Sequence, residues 1–456
     1  MTDTTTIRYG TCPLCEASCG LRYEVAGEAV VDLRGDPEDP LSRGHLCPKA
    51  AALPDLHRDP DRLTTPLRRT AGGGFAAVSW KEAIAEAADR IHRIQDQHGR
   101  DAMAVYVGNP AVHATGTLLY GPPLLRSLGT KNRYSATSVD QLPHMLVAHL
   151  MFGHQLLLPV PDLDRTNTLL MLGANPLASN GSLMTAPGVG KRLRGIQARG
   201  GRVLVIDPRR TETARAADVH VFIHPGTDAL FLLALLREVL VLRDGRPRLH
   251  HLAGRVEGLD PLEEALQPFS PERVAGPTGV PGETIRSLAR ELVDGAPAVV
   301  YGRVGTSTQA FGSLCQWAIN LVNLVNGALD REGGAMFPTP AIDLVSGPAR
   351  IGRGAFGRWR SRVRGLPEFA GELPVATLGD EILTPGPGQV RGLLTVAGNP
   401  VLSTPNGARL DEALGTLDTY IAVDPYLNET TRHAHLILPP VSPLSRLHYD
   451  LVFHHL

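Results

Sequence analysis

The feature that most constrains the fold of this chain is a motif that occurs twice. Residues 207–217 and 424–434 align without gaps, and both stretches begin with Asp-Pro. Asp, Pro, Glu, Thr, Arg and Ala recur at equivalent places in the two copies. Agreement at so many places in so short a stretch is not expected by chance, so the sequence indicates a duplicated unit.

Apolar runs precede these motifs and alternate with stretches that suit helices. The predicted strands are residues 168–172, 202–206, 219–223, 392–397 and 420–423, and the clearest apolar helix is residues 229–242. Strands that alternate with helices in this way predict a parallel sheet with crossover helices. We therefore expect an α/β fold that contains the unit twice.

The turns that follow these strands are candidates for ligand binding. In open α/β sheets, ligands lie beyond the carboxyl ends of the strands, and Gly, Asn and Pro in such turns let backbone N–H groups approach a phosphate. Two copies imply two nucleotide-like ligands, or one large ligand with pseudo-twofold symmetry. The alternative is that Asn-Pro and Asp-Pro only form β-turns. That alternative explains a single copy well but not the duplicated pair.

Four of the five cysteines lie near the N-terminus and form a candidate metal site. Cys12, Cys15 and Cys19 have C-x2-C-x3-C spacing, and Cys47 follows from a distant segment. A structural zinc and a cubane cluster both fit four thiolates, but zinc sites usually combine two knuckles of two ligands each. One loop with three thiolates and a second segment with one favour the cubane. Cys315 lies in an apolar helix-like stretch and is expected to pack in the core.

Charge and hydropathy exclude several classes of protein. Basic residues number 45 and acidic residues 46, so no net field attracts nucleic acid or a membrane surface. No apolar run approaches the roughly 18 residues of a membrane span, and the N-terminus lacks the pattern of an export signal. From these features we expect a cytoplasmic protein with no nucleic-acid partner.

A cubane-type quartet followed by a duplicated dinucleotide-binding α/β unit resembles the bis-molybdopterin-guanine-dinucleotide oxidoreductases. That family includes formate dehydrogenases and bacterial nitrate reductases. Besides the quartet, the resemblance is carried by Lys49, Gly173-Ala174-Asn175-Pro176, Asp207-Pro208-Arg209, Pro225-Gly226-Thr227-Asp228, Gly305 with Gln309, and Gly398-Asn399-Pro400.

The resemblance implies cofactors and roles for these residues. The quartet would bind a [4Fe-4S] cluster, and Lys49 would lie on the electron path between cluster and pterin. Molybdenum or tungsten would be held by two molybdopterin guanine dinucleotides. The implied contacts to one pterin are Gly173, Asn175, Asp207, Arg209, Gly226 and Asp228, and those from the other lobe are Gly305, Asn399 and Asp424.

The protein ligand to the metal departs from the best-known family pattern. Formate dehydrogenases place cysteine or selenocysteine there, followed by histidine, whereas the corresponding stretch in this chain contains no cysteine. If Pro143 matches the family's proline, Asp140 occupies the ligand position, as in membrane-bound nitrate reductases. Ser135 or Ser138 would instead resemble the sulfoxide reductases. A further alternative is that Asp140 only caps the following helix.

By resemblance we expect three domains and a redox function. The fold class is α/β: a small Fe–S domain at residues 1–62, a discontinuous α/β domain at 63–137 and 335–456, and an inserted, pseudo-symmetric α/β domain at 138–334. The family's further β-rich domain is absent from the sequence, so we expect a truncated chain. The function expected is transfer of electrons between a small-molecule substrate and a redox partner through the cluster. The alternatives are a non-catalytic scaffold subunit, like the large iron–sulfur subunit of complex I, and a zinc-stapled nucleotide-binding protein.

Overall fold

The computed structural model describes residues 5–27, 29–346 and 354–450. The expectation of truncation concerns the end of the chain, which lies outside these residues. In chain order the strands are β1 (Thr6–Thr11), β2 (Gly20–Ala26), β3 (Ala29–Gly35), β4 (Leu67–Arg69), β5 (Phe75–Ala77), β6 (Met103–Val107), β7 (Arg133–Ser135), β8 (Val160–Pro161), β9 (Thr168–Leu172), β10 (Arg202–Ile206), β11 (Val219–Val221), β12 (Ala298–Gly302), β13 (Ala335–Met336), β14 (Phe356–Arg360), β15 (Pro367–Phe369), β16 (Gly392–Val396), β17 (Thr419–Val423) and β18 (Leu436–Ile437).

The helices connect these strands. In chain order they are α1 (Pro48–Ala51), α2 (Leu53–Arg58), α3 (Trp80–His98), α4 (Thr115–Leu128), α5 (Leu142–Phe152), α6 (Pro176–Ser179), α7 (Val189–Ala198), α8 (Glu212–Ala216), α9 (Asp228–Leu242), α10 (Leu262–Leu266), α11 (Pro271–Thr278), α12 (Gly282–Asp294), α13 (Val304–Ser307), α14 (Gly312–Val325), α15 (Leu378–Leu383), α16 (Pro400–Ser403) and α17 (Gly407–Leu414). Within the described ranges, no helix combines the length and the apolar character that crossing a membrane requires.

The chain divides into two compact units. The first contains the described residues up to Val139 and those from 354 to 450, and the second contains those from Asp140 to Ser346. Each unit has an α/β sheet of its own. The expected fold class, α/β with the motif duplicated, is confirmed.

The sheet of the second unit is parallel throughout, in the order β11-β10-β9-β12. The predicted strands 168–172 and 202–206 are confirmed as β9 and β10, and β11 ends two residues before the predicted 223. The chain runs from β9 outward to β11 on one side and later adds β12 on the other side of β9. The order therefore reverses between β9 and β12, which is where open α/β sheets form a ligand crevice.

The main sheet of the first unit has the order β5-β4-β18-β17-β16-β6-β7. Its strands from β18 to β7 are parallel, and β4 and β5 extend it as an antiparallel edge. The predicted strands 392–397 and 420–423 correspond to β16 and β17 within one residue at one end. Here the strand order reverses between β16 and β6, so this sheet has its own crevice.

A separate antiparallel sheet, β1-β2-β3, lies at the start of the first unit. Its first two strands are joined by residues 12–19, the loop that carries three of the four cysteines. Because β1 and β2 pair from Thr6 with Val25 to Thr11 with Gly20, the loop is held closed at its base.

The helix predicted at residues 229–242 is confirmed as α9 and explains the core of the second unit. Its side chains are buried on nearly all sides, including Phe231, Leu235 and Leu236, none of which is exposed. The helix packs against α12 and α14, which supply further apolar side chains. Burial of each such side chain stabilises the fold by roughly 1.5–3 kcal/mol. The position of this helix fixes the turn before it, which carries candidate site residues.

Candidate functional site

The cysteine quartet is built from a loop and the start of a helix. The backbone N–H of Cys12 donates to the carbonyl oxygen of Cys19 across the loop at 2.8 Å. Cys47 precedes α1, and its Sγ accepts a hydrogen bond from the N–H of Ala50 at 3.4 Å. All five cysteines of the chain are free thiols. The loop and helix therefore bring the four N-terminal thiols into one region of the first unit.

The electrostatics of the quartet fit a cationic centre. Burial raises the pKa of the Cys12 thiol to about 11 and those of Cys15 and Cys19 to about 12, and neighbouring cysteines add to each shift. Lys49 acts in the opposite direction and lowers the pKa of Cys12 and of Cys15, so its ammonium group lies within electrostatic reach of the sulfurs. Buried thiolates need a positive centre to stabilise them, which iron would supply. Among the described residues, no group of three or more Cys, His, Asp or Glu side chains is arranged to hold a single metal ion.

The two copies of the duplicated motif are held by the same hydrogen bonds. In the second unit, the Asn175 amide donates to Glu212 Oε2 at 2.7 Å, and its Oδ1 accepts from the Thr213 hydroxyl at 2.8 Å. The Thr213 hydroxyl in turn accepts from the N–H of Leu177 at 3.1 Å. The Asn175 amide lowers the pKa of the Glu212 carboxyl, as expected for a hydrogen bond to its charged form.

The first unit repeats this arrangement. The Asn399 amide donates to Glu429 Oε2 at 2.9 Å, and its Oδ1 accepts from Thr430 Oγ1 at 2.5 Å. Thr430 Oγ1 accepts from the N–H of Val401 at 3.1 Å. In both units the asparagine side chain therefore joins two loops at the carboxyl edge of the sheet through hydrogen bonds. Its predicted contact with a ligand stays a prediction.

Glycines allow the loops at each crevice to approach closely. The N–H of Gly305 donates to the carbonyl oxygen of Gly173 at 3.0 Å, and a Cβ on either glycine would lie 2.7 Å from the Cα of the other. In the first unit a Cβ on Gly108 would lie 1.9 Å from the carbonyl oxygen of Ala397. Gly173 and Ala397 occupy equivalent places and share positive φ values of 53° and 54°. Both crevices therefore have walls made of backbone, which suits phosphate groups.

Two carboxylates lie together at the crevice of the second unit. Asp207 accepts a hydrogen bond from the N–H of Arg209 at 2.8 Å, and Asp228, 5% exposed, accepts one from the Gln309 amide at 3.0 Å. Burial raises the pKa of Asp228, and Asp207 adds to the shift. The Gln309 Oε1 atom is buried and has no hydrogen-bond partner in the described structure. Acceptors of this kind fit the N–H groups of a guanine.

The remaining two candidates of this crevice are more exposed. The Arg209 side chain is 66% exposed, and its guanidinium lies 3.6 Å from the Glu212 carboxylate, so it stays accessible to a phosphate. Gly226 has a φ of 80° and no atom near a Cβ position, so its conformation and not its packing requires glycine.

Asp140, the candidate metal ligand, forms an ion pair with Arg303. Both guanidinium Nη atoms donate to its carboxylate, the longer bond being 3.3 Å. Helix α5 begins after Gln141 without a side-chain cap, so the alternative that Asp140 caps this helix is wrong. The carboxylate turns to Arg303 because that guanidinium is only 15% exposed and needs a counter-charge.

His144 contacts residues on both sides of Arg303 in the chain. Its Nε2 lies 3.1 Å from the carbonyl oxygen of Gly302, and its Nδ1 lies 3.3 Å from Ser307 Oγ. Burial lowers the pKa of His144 to about 4, so the ring is neutral at pH 7. A neutral ring can donate from Nε2 and accept at Nδ1, which fits both neighbours.

The structure divides the predicted site residues between the units. The quartet, Lys49, Asn399 and Asp424 belong to the first unit, and Asp140 and the other predicted contacts belong to the second. Gly305 was expected on the other lobe with Asn399 and Asp424, but it lies in the second unit, because its loop bonds to that of Gly173. Cys315 is fully buried in α14, as its apolar surroundings indicated. Sequence reasoning missed three arginines that belong to no motif. Arg303 pairs with Asp140, and Arg62 and Arg446 line a cavity of the first unit together with Asn399 and Asp424.

Comparison with known proteins agrees with this geometry. Residues 62–442 match the family model described as molybdopterin oxidoreductase, and residues 5–57 match the molybdopterin oxidoreductase Fe4S4 domain. The second match covers the quartet and decides for the cubane cluster over zinc. Together the matches imply a molybdenum- or tungsten-bis-pterin cofactor and a [4Fe-4S] cluster.

Relatives with assigned functions cover almost the whole chain. The F420-dependent formate dehydrogenase 2 subunit alpha of Methanococcus maripaludis is 25% identical, over 94% of this chain and 63% of that protein. The assimilatory nitrate reductase catalytic subunit of Bacillus subtilis is also 25% identical, over 95% of this chain and 62% of that protein. The structure of acetylene hydratase from Pelobacter acetylenicus has a TM-score of 0.79 at 20% identity, over 96% of this chain and 63% of that one.

These relatives are longer than the chain, which spans less than two thirds of the length of each. The family match itself extends over most of the chain and includes both duplicated motifs. The chain belongs to the molybdopterin oxidoreductase family.

Proposed function

We propose that this chain is the cofactor-binding part of a molybdenum- or tungsten-dependent oxidoreductase that exchanges electrons with a redox partner through its [4Fe-4S] cluster. The observation that carries the proposal is the repeated Asn–Glu–Thr bonding at the crevices of both sheets. Each copy places buried acceptors and close backbone at the edge where a dinucleotide binds. Two such crevices match two pterin dinucleotides.

The residues of the chain then have distinct roles. In the second unit, Asp207 and Asp228 accept N–H groups of a guanine, and Arg209 offers positive charge to a phosphate. In the first unit, Asp424 serves as the corresponding acceptor. When bound, the metal–pterin centre supplies two-electron redox chemistry toward a small molecule. Relatives named as formate dehydrogenase and nitrate reductase support a substrate of that size.

The quartet and Lys49 provide the exit for single electrons. Lys49 lies two residues after the ligand Cys47 and acts electrostatically on Cys12 and Cys15. A fixed positive charge beside a cluster stabilises its reduced state, because reduction adds negative charge. The redox partner would be a protein or subunit that reaches the cluster.

Asp140 would approach the metal only if Arg303 releases it. Both carboxylate oxygens of Asp140 accept from Arg303, and the side chain is nevertheless 40% exposed. We therefore assign Asp140 as the candidate protein ligand and Arg303 as the residue that positions its carboxylate.

The test is the composition of the purified protein after expression with molybdate. We expect about four irons per chain, together with molybdenum or tungsten and guanine nucleotide released by acid. Iron without either metal and without guanine nucleotide would contradict the proposal while leaving the cluster in place.

A second candidate, the non-catalytic electron-transfer or scaffold subunit, is favoured by one observation. The Asp140 carboxylate is already paired with Arg303 and so does not need a metal to balance its charge. The same composition measurement separates the candidates, because a scaffold would hold the iron alone.

A further inference from the structure

A cavity of about 340 Å³ lies within the first unit, between the cysteine loop and the crevice of the sheet. Pro13 and Leu14 of the cysteine loop form one part of its wall, and Asn399 and Asp424 form another. A ligand in this cavity would therefore contact both the loop that holds three cluster ligands and the second copy of the duplicated motif.

Arg446 also lines this cavity and is half-buried. Its Nε atom is buried and has no hydrogen-bond partner among the described residues. Burial alone lowers the pKa of Arg446, with no contribution from a neighbouring acid. Arg364 and Arg409 of the same unit are, by contrast, both paired with Asp380. Keeping an unneutralised guanidinium in a partly buried site costs free energy unless an anion joins it.

A second arginine lines the same cavity. Arg62 has a buried Nε atom without a partner in the described structure, and its Nη2 donates to the carbonyl oxygen of His57 at 3.4 Å. The carbonyl bond fixes the direction of the guanidinium but leaves Nε free. Two guanidinium groups in one cavity provide the forked donors that suit a phosphate.

The cavity has a separate acidic region. Asp424 accepts from the N–H of Tyr426 at 2.9 Å and from the Asn428 amide at 3.2 Å, and neither donor is a cation. Burial raises the pKa of Asp424, and no arginine acts against that shift. The carboxylate and the Arg446 guanidinium therefore do not neutralise each other. A ligand with N–H donors in one part and negative charge in another would satisfy both.

We propose that Arg446, assisted by Arg62, binds a phosphate group of the pterin dinucleotide held by the first unit. This inference rests on the proposed function, since it assigns residues to one of the two dinucleotides. Arg446 is then the principal cation of that subsite and Asp424 its acceptor for N–H groups.

The test compares Arg446→Gln and Arg446→Lys with Arg93→Gln, which changes an exposed arginine of α3. We expect Arg446→Gln to keep the wild-type iron content and to lose released guanine nucleotide, while Arg446→Lys keeps part of it. Arg93→Gln should match the wild type in both. Unchanged guanine nucleotide in Arg446→Gln would overturn the inference. Loss of guanine nucleotide accompanied by equal loss of iron and of thermal stability would also overturn it, since the residue would then only support the fold.

A second measurement keeps this test independent of the proposed function. Protein from a host that makes no pterin is titrated calorimetrically with inorganic pyrophosphate. We expect Arg446→Gln to weaken binding about tenfold or more, because a charged hydrogen-bonded pair is lost, and Arg62→Gln to weaken it less. Equal binding by wild type and Arg446→Gln would overturn the inference. If wild-type protein lacks guanine nucleotide but binds pyrophosphate through Arg446, the proposed function fails while the anion site stands.

Discussion

Asn175 donates a hydrogen bond of 2.7 Å to Glu212 across two loops of the second unit, and Asn399 makes the same bond to Glu429 in the first. In both copies the asparagine also accepts from the threonine that follows the glutamate. The recurring Asn-Pro and Glu-Thr pairs therefore form one hydrogen-bonded contact between two loops, the Asn–Glu–Thr contact. This contact fixes the loop at the edge of each sheet. A flexible loop would instead lose conformational entropy when a dinucleotide binds, which would weaken binding.

Replacing the threonine of the Asn–Glu–Thr contact with valine, which has nearly the same shape, should make the loop at the sheet edge more mobile. Thr213 and Thr430 are fully buried, so Thr213→Val removes a buried hydroxyl and leaves the N–H of Leu177 without its acceptor. A loss of about 1–3 kcal/mol is expected. Hydrogen exchange across residues 173–180 should accelerate roughly ten- to hundredfold. Thr308→Val, at an exposed threonine of the same unit, is the control, and equal exchange in the two variants would contradict the role assigned to Thr213.

The close approach of two backbone segments at the crevice of the first unit can be tested by substituting two glycines. A Cβ on Gly108 would lie 1.9 Å from the carbonyl oxygen of Ala397, whereas a Cβ on Gly116 meets no atom within 4 Å. Gly108→Ala should therefore destabilise the protein by about 2 kcal/mol or more and reduce bound guanine nucleotide. Gly116→Ala, within α4, should raise stability by about 0.5–1 kcal/mol. Thermal unfolding and nucleotide release measure both effects, and similar behaviour of the two variants would disprove the close approach.

The sequence predicted the elements whose side chains carry a local signal. The strands that became β9, β10, β16 and β17 are apolar runs bounded by Gly, Asn and Pro, and α9 is an apolar stretch of helical length. Periodicity and turn residues are properties of neighbouring positions, so they can be read without tertiary structure. The duplicated motifs were found for the same reason.

What the sequence did not reveal depends on contacts between distant residues. Asp140 and Arg303 are 163 positions apart, and nothing near either residue indicates the other. Arg446 and Arg62 stand among many arginines and become distinctive only because they share a cavity without an acid beside Arg446. The bonds of Asn175 to Glu212 and Thr213 could not be predicted either, because they exist only in the folded chain, and its contact with a ligand stays a prediction.

The cluster assignment predicts different outcomes for two cysteines. Cys47→Ser should lose most of the iron and the visible absorbance that dithionite bleaches, because the thiolate that closes the cage is removed. Cys315→Ala should retain both, since Cys315 is fully buried in α14 and only packs there. Iron assay and absorbance spectra of the anaerobically purified variants measure this. Iron loss in Cys315→Ala comparable to that in Cys47→Ser would refute the assignment.

Asp424 should make the stability of the cofactor-free protein depend on pH in an unusual direction. Burial raises its pKa from 3.8 to about 6, so the folded state holds a proton that the unfolded state has lost between these values. Stability attributable to this group therefore falls as pH rises from 3.8 to 6 and stays lower above it, by about 3 kcal/mol. Asp424→Asn keeps the oxygen that Tyr426 bonds, so it should be more stable than wild type at pH 7 and equal to it near pH 4. It should also bind less guanine nucleotide, because a charged acceptor is lost. Asp89→Asn, at an exposed position of α3, is the control and should show the same dependence of stability on pH as the wild type. If the stability of Asp424→Asn changed with pH in parallel with that of the wild type, burial would not destabilise the Asp424 carboxylate.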